Sequence, residues 1–122
     1  MATLIVTRGK QIWNDRLRGV GTEPSFGAWG TGAGTTAAGD TTLFTESAEA
    51  RVAATTSTVT TTTTGDTYQA VWTQSASAAR AITNGGLLDA STGGNLFLKG
   101  DFATINLATG DSIQFTAKGQ LT

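Results

Sequence analysis

"TSTVTTTTTGDTYQAVWT", residues 56–73, is the stretch on which the fold class depends, because seven of its first nine residues are threonine. Such a run belongs either to a disordered low-complexity tract or to a folded sheet. From residue 67 onward, Tyr, Ala and Trp occupy alternate positions, as in a β-strand with one buried face. The Gly-Asp pair at residues 65–66 supplies a turn. We therefore predict that residues 57–64 form an ordered strand paired with residues 67–74.

The composition supports a β fold and argues against disorder. The 122 residues include 25 Thr and 16 Gly but one Pro, and threonine is β-branched and suited to the pleated surface of a sheet. Only 14% of residues are charged and the net charge is −1, whereas disordered chains combine low hydrophobicity with high net charge. The same balance provides no basic surface for nucleic acid, so we expect no nucleic-acid partner.

Turn residues divide the rest of the chain into short strands. The Gly-Asp dipeptide, which tolerates turn conformations, recurs at residues 39–40, 65–66, 100–101 and 110–111. Residues 84–86 are predicted to form a further turn and residues 91–94 the turn of a second hairpin. Residues 41–50 suit a short helix or a turn, followed by a strand from about Arg51. Eight or nine short strands predict an all-β chain, with a single β-sandwich or jelly-roll-like domain over residues 19–122.

The first 18 residues differ from the rest in charge. Residues 1–18 hold four basic residues and one acidic residue, a net charge of +3, whereas residues 19–122 hold four basic and eight acidic residues, a net charge of −4. We interpret residues 1–18 as a basic N-terminal arm that contacts a neighbouring subunit; the alternative is a first β-hairpin with its turn at Arg-Gly-Lys. Deleting the arm should then leave the sandwich folded and weaken its attachment.

Basic, aromatic and aliphatic residues in the N-terminal third are the candidates for partner binding, since aromatic side chains often anchor interfaces. They are Arg8, Lys10, Ile12, Trp13, Arg16, Arg18 and Trp29. For the two tryptophans, packing within their own domain is the alternative.

The residue inventory excludes most catalytic chemistry. The chain has no histidine and no cysteine, so Ser-His-Asp and Cys-His arrangements and the usual zinc ligands are missing. The "GTGAG" stretch at residues 30–34 lacks the Lys-Ser/Thr of a phosphate-binding loop. The aspartates at 66, 89, 101 and 111 lack the dense spacing of a dedicated calcium loop. We predict no enzymatic activity, no metal and no cofactor. No apolar run approaches the roughly 20 residues that span a bilayer, so no membrane contact is expected.

Two stretches resemble segments of small β-sandwich structural proteins of tailed bacteriophages, the decoration or cement type. One is "AWGTGAGTTAAGDTTLFTESAEAR" at residues 28–51, and the other is "AITNGGLLDASTGGNLFLKGDFATINLATGDSIQFT" at residues 81–116. Leu88 stands where the pattern usually has Phe. The resemblance covers about half of the chain and implies a virion protein with a β-sandwich fold.

From these features we predict a capsid decoration protein that bridges and stabilises neighbouring major capsid subunits. It would be made in the host cytoplasm and lie on the capsid surface of the virion. Its partner would be the major capsid protein or another virion subunit. A homotrimer is expected, because a small domain gains buried area from an interface. The alternative is a tail, neck or fibre component, including a host-surface-binding module.

Overall fold

The computed structural model describes residues 3–121, which form eight strands and one helix. They are β1 (Thr3–Ile5), α1 (Thr7–Leu17), β2 (Phe26–Gly30), β3 (Val52–Ala53), β4 (Thr55–Val59), β5 (Thr67–Ser75), β6 (Arg80–Leu88), β7 (Leu96–Leu107) and β8 (Ser112–Gln120). All strand pairs are antiparallel. One sheet has the order β1-β7-β6-β2-β3 and the other the order β4-β5-β8. The two sheets pack face to face, which confirms the predicted β-sandwich.

The threonine-rich stretch is a hairpin, as predicted, although its first strand is shorter. Strands β4 and β5 pair from Thr55 opposite Val71 to Val59 opposite Thr67. Residues 60–66 form the connecting loop rather than more strand. The carboxylate of Asp66 accepts backbone N–H groups from three consecutive threonines of this loop, at donor–acceptor distances of 2.9–3.1 Å. These bonds hold the threonines away from the sheet ladder and end the strand at Val59.

The turn predicted at residues 84–86 is wrong, because these residues lie inside β6. Asn84, Gly85 and Gly86 pair with β2 on one side and with β7 on the other. A Cβ atom on Gly86 would lie 2.5 Å from the carbonyl oxygen of Leu98. The glycine therefore permits a close approach of two strands, which is a recognised use of glycine within a sheet.

The predicted Gly-Asp turn at residues 100–101 is also wrong, because both residues lie inside β7, whereas the later turns at residues 91–94 and 110–111 are confirmed. Residues 89–95 join β6 and β7, and residues 108–111 join β7 and β8. Between residues 41 and 50, where the sequence allowed a helix or a turn, the structure has turns. Strand β3 then begins at Val52, next to the predicted start.

A long loop, residues 31–45, covers the outer face of the larger sheet. Leu43 of this loop belongs to a buried cluster with residues of β2, β6 and β7. The side chain of Lys99 in β7 is fully buried beneath the loop and donates hydrogen bonds to Asp40 Oδ2 and the Thr42 carbonyl, each at 3.0 Å. Its Nζ also lies 3.1 Å from the centre of the Phe44 ring. The buried ammonium group of Lys99 thus holds the loop on the sheet through three contacts. These contacts offset the free-energy cost of burying its charge.

The predicted N-terminal hairpin is also wrong. Residues 1 and 2 of the predicted arm lie outside the described residues, β1 pairs with the edge of β7, and the Arg-Gly-Lys stretch lies within the helix α1. Gly9, Ile12 and Trp13 follow a helical spacing that places them on one face. Gly9 lets that face approach β7 closely, since a Cβ atom there would lie 2.1 Å from the Phe97 carbonyl oxygen. Ile12 is buried in the main core, so α1 is packed as part of the sandwich.

Candidate interaction groove

A surface groove lies where α1 crosses one end of the sandwich. Its volume is about 370 Å³. Among the residues that line it are Ile12, Trp13, Arg16, Glu23, Pro24, Tyr68, Phe97 and Leu121. These residues come from α1, from the segment before β2, from β5, from β7 and from the end of the described chain. The fold therefore brings together side chains that are far apart in the sequence.

An aromatic wall gives the groove its shape. Trp13 packs against Phe97 with ring centres 6.0 Å apart at an interplanar angle of 41°. Tyr68 meets the same phenylalanine edge to face, at 5.8 Å and 81°. Edge-to-face and tilted pairs are favourable geometries for aromatic rings. Since Trp13 and Tyr68 are only partly buried, the wall leaves apolar surface exposed in the groove.

A hydrogen-bonded tyrosine fixes the polar side of the groove. The Tyr68 hydroxyl lies 3.0 Å from Glu23 Oε2 and 2.9 Å from the carbonyl oxygen of Pro24. Burial raises the pKa of Tyr68 well above its usual value, and the hydrogen bond to the Glu23 carboxylate raises it further. Tyr68 therefore remains a neutral donor that holds the segment before β2 against β5.

Arg16 brings a positive charge to the groove. Its Nη1 donates to the carbonyl oxygen of Gly21 at 3.0 Å, and this bond fixes the guanidinium beside the turn that follows α1. Three of the predicted partner-binding residues, Ile12, Trp13 and Arg16, are thus found at one site. Ile12 is itself 3% exposed, so it supports the groove from beneath.

The remaining basic candidates do not line the groove. Lys10 is exposed on α1, and Arg18 is 74% exposed and forms an ion pair with Asp15 at 3.9 Å. Arg8 is half-buried, and its Nη1 has no hydrogen-bond partner among residues 3–121. The helix therefore distributes the basic residues around its surface instead of presenting them together.

Trp29 is placed in the core of its own domain, the alternative that the sequence left open. It is fully buried in β2, and its Nε1 donates to Glu49 Oε1 at 3.0 Å. Its ring packs edge to face with Phe115, 6.2 Å away. In this arrangement the side chain offers no surface to a partner.

Sequence reasoning missed the contributions of Glu23, Pro24, Tyr68, Phe97 and Leu121 to the groove. No local pattern marks them as site residues, because each reaches the groove through tertiary packing. The helical spacing of Gly9, Ile12 and Trp13 is the one signal that could have identified the α1 side of the site.

The aspartate carboxylates of the predicted turns accept hydrogen bonds from backbone N–H groups. Asp111 Oδ2 accepts from the N–H of Ala108 at 2.8 Å, and Asp89 Oδ1 accepts from that of Asn95 at 2.7 Å. Among the described residues, no three acidic side chains come together in a form that could hold a metal ion. In the same part of the chain, no helix has the length and apolar character needed to cross a membrane.

Comparison with known families gives a match over most of the chain. The model of a family described as "Podophage GP4 fiber I protein gp80" matches residues 8–122. The matched region includes nearly all of α1 and every strand from β2 to β8. No curated protein and no solved structure matches the chain.

Proposed function

The chain belongs to the podophage GP4 fiber I protein gp80 family, and from this membership we propose that it is a fibre component of a podophage virion. Membership makes the chain a bacteriophage structural protein, which agrees with the class that the sequence predicted. The observation that carries the finer proposal is the family match over residues 8–122. That match includes the helix and the strands that build the groove.

The capsid decoration function predicted from the sequence has no support from the family match. The fibre alternative is the better interpretation. A β-sandwich with polar outer faces and an accessory helix suits both kinds of protein, because each requires a rigid body and contacts with neighbours. Fold class therefore cannot separate them, and family membership favours the fibre interpretation.

We further propose that the groove is the surface through which the protein contacts another virion subunit. The groove combines aromatic side chains with Arg16, residue types that are enriched at interface centres. Leu121 lines it and is 62% exposed, and Leu17, one helical turn after Trp13, is 77% exposed. Exposed apolar side chains beside an aromatic groove are typical of a surface whose burial against a partner is favourable.

The location can be tested directly on intact particles. Virions carrying a peptide tag fused to the chain would be labelled with gold-conjugated antibody and imaged by electron microscopy. We expect label at the tail fibres. Label distributed over the capsid would contradict the fibre proposal and restore the decoration interpretation. Untagged virions treated with the same antibody provide the control.

The groove can be tested separately by incorporation into particles. Leu17→Asp places a charge at an exposed position beside the groove, so the fold should be unaffected and incorporation should fall. Ile105→Asp is the matched control, because Ile105 is a 40% exposed apolar residue that does not line the groove. Equal incorporation of the two variants would contradict a role for the groove. The amount per virion is measured by quantitative mass spectrometry of purified particles.

A further inference from the structure

The longest of the four strands at the ends of the two sheets has an open edge. Strand β8 has nine residues and lies at the end of the three-stranded sheet, where among the described strands it pairs only with β5. The other three end strands of the two sheets, β1, β3 and β4, have three, two and five residues. An open strand edge carries unpaired N–H and C=O groups and is a template for pairing with another chain.

The hydrogen bonds at both ends of the β5–β8 ladder show which groups face the open edge. Ala76 N donates to the Asp111 carbonyl at 2.8 Å, and Leu121 N donates to the Asp66 carbonyl at 2.9 Å. Between these points the register runs without a shift. Since bonded and non-bonded pairs alternate in antiparallel sheets, the odd-numbered residues of β8 bond to β5. The even-numbered residues direct their N–H and C=O groups away from β5. They are Ser112, Gln114, Thr116, Lys118 and Gln120.

Little in β8 protects this edge. Natural edge strands are often short, or carry several charges, a proline or a bulge. Strand β8 has nine residues, one charged residue, Lys118, no proline and no shift in its pairing with β5. Its even-numbered side chains are exposed from Ser112 to Lys118. The outer face of β8 is therefore exposed along its unpaired edge.

We propose that β8 is a self-association edge, at which two copies of the chain pair antiparallel about a two-fold axis and form one continuous six-stranded sheet. The even-numbered residues must form the bonded pairs, because only their backbone groups face outward. The register that pairs the whole strand places Thr116 opposite its own counterpart. In this register Gln114 lies opposite Lys118, so the two lysines do not face each other, and Phe115 lies opposite Ala117.

The packing of the two sheets also supports pairing of two copies at the β8 edge. A gap of about 160 Å³ lies between β8 and the β1–β7 side of the larger sheet, lined by apolar residues that include Trp72, Phe102 and Phe115. The larger sheet has five strands and the smaller one three. A second copy of β8 adds a strand to the smaller sheet on this side and continues its apolar inner face. Pairing of identical edges closes at two copies, so it gives a dimer in place of the trimer expected from the sequence.

The first test is the mass of the full-length chain in solution, measured by light scattering during size-exclusion chromatography over a range of concentrations. We expect association to twice the 12.5 kDa of one chain. Gln114→Lys places like charges opposite each other at two symmetric positions and should weaken dimerisation roughly tenfold. Combining it with Lys118→Glu restores opposite charges at both positions and should restore the dimer. A wild-type chain that stays monomeric at every concentration would overturn the proposal, as would failure of the second substitution to rescue the first.

The second test fixes the register. The chain has no cysteine, and opposite residues of a bonded antiparallel pair have Cα atoms about 5.5 Å apart, within the range that a disulfide spans. Thr116→Cys should therefore form a disulfide-linked dimer under mild oxidation, detected by non-reducing electrophoresis. Thr104→Cys, at an exposed position of β7, should remain monomeric. Cross-linking of both variants to the same extent would indicate random collision and contradict the proposed pairing. This inference is independent of where the protein lies in the virion.

Discussion

At the scale of single residues, Glu49 links segments that are far apart in the chain, a role that no sequence pattern predicted. Its carboxylate accepts hydrogen bonds from the Trp29 indole at 3.0 Å, the Ser77 backbone at 3.0 Å and Arg80 Nε at 2.9 Å, and also from the Ser47 hydroxyl. Its side chain is 6% exposed. Burial by itself raises the pKa of Glu49, but the hydrogen bonds outweigh it and hold the pKa well below 4.5. The ionised carboxylate is therefore the form that the fold requires.

Glu49→Gln should destabilise the protein by about 2–3 kcal/mol at pH 7, because hydrogen bonds to a charged group are lost and Arg80 keeps a charge without its partner. The measurement is urea unfolding followed by tryptophan fluorescence. Glu46→Gln is the matched control. Glu46 pairs with Arg51 through two contacts of 2.9 Å but is 32% exposed, and Arg51 also donates to the carbonyl oxygens of Ala90 and Gly93, so the loss of Glu46 should cost less than the loss of Glu49. Equal effects of the two substitutions would show that the Glu49 network is not a special source of stability.

Stability should also depend on pH through Glu49. Its pKa is lower in the folded than in the unfolded protein, so protons bind preferentially to the unfolded chain. The stabilisation is present above the ordinary value of 4.5 and decreases as the pH falls below it. Between pH 6 and pH 3, wild type should lose more stability than Glu49→Gln, as measured by urea unfolding at each pH. Parallel losses in the two proteins would assign the acid sensitivity to other carboxylates.

At the scale of elements, the threonine-rich hairpin owes its order to one turn residue. Asp66 accepts N–H groups from Thr61, Thr62 and Thr63 and a further bond from the Gln120 side chain at 2.8 Å. The backbone bonds from Thr63 and Thr61 are the main reason why the pKa of Asp66 is held far below its usual range. The polar side chains of the threonine run do not by themselves fix its conformation. The Asp66 carboxylate at the end of the loop fixes it by accepting hydrogen bonds from the backbone.

Asp66→Asn should increase amide hydrogen exchange at residues 61–63, because a neutral amide oxygen is a weaker acceptor than a carboxylate. Exchange in the centre of β5 should change little. The control is Asp111→Asn, which alters an equivalent bond to Ala108 at another turn and should leave residues 61–63 unaffected. Exchange is followed by NMR. Unchanged protection at residues 61–63 in Asp66→Asn would show that the loop is held by its other contacts.

At the scale of the whole molecule, the N-terminal segment completes the core. Val6 and Ile12 are 0% and 3% exposed, the N–H of Val6 donates to the Phe97 carbonyl at 3.1 Å, and β1 extends the larger sheet. The expectation that residues 1–18 can be removed without loss of the fold therefore needs revision. We expect a segment that supplies core side chains and an edge strand to be required for the stability of the sandwich.

Deletion of residues 1–18 should give a chain that is unfolded or insoluble, as judged by circular dichroism and dispersion of NMR signals. Ile12→Ala tests the same packing within a full-length chain. It should cost about 2–5 kcal/mol, the range for removing a large buried side chain. Leu17→Ala, at a 77% exposed position of α1, should change stability by no more than about 0.5 kcal/mol. A truncated chain with a native-like spectrum would show that the helix is an independent arm.

The sequence determined by itself that the chain is an all-β sandwich, that the threonine run belongs to a hairpin, and that turns lie at residues 91–94 and 110–111, although not that residues 84–86 and 100–101 lie inside strands. These features follow from local properties, because alternation and turn chemistry act between residues that are close in the chain. The resemblance to phage structural proteins likewise identified the class of protein. Within the groove, Ile12, Trp13 and Arg16 could be named from their residue types, although not their common location.

Only the tertiary structure decided the features that depend on contacts between distant residues. The first segment is a helix because Gly9 and Ile12 pack against β7, and residues 84–86 remain in a strand because β2 and β7 pair on both sides of them. The groove also depends on contacts between distant residues, because Trp13 and Leu121 both line it. The open edge of β8 is a property of strand order alone. Local sequence patterns specify which residues can form strands, but long-range packing selects their neighbours and therefore which surfaces remain free.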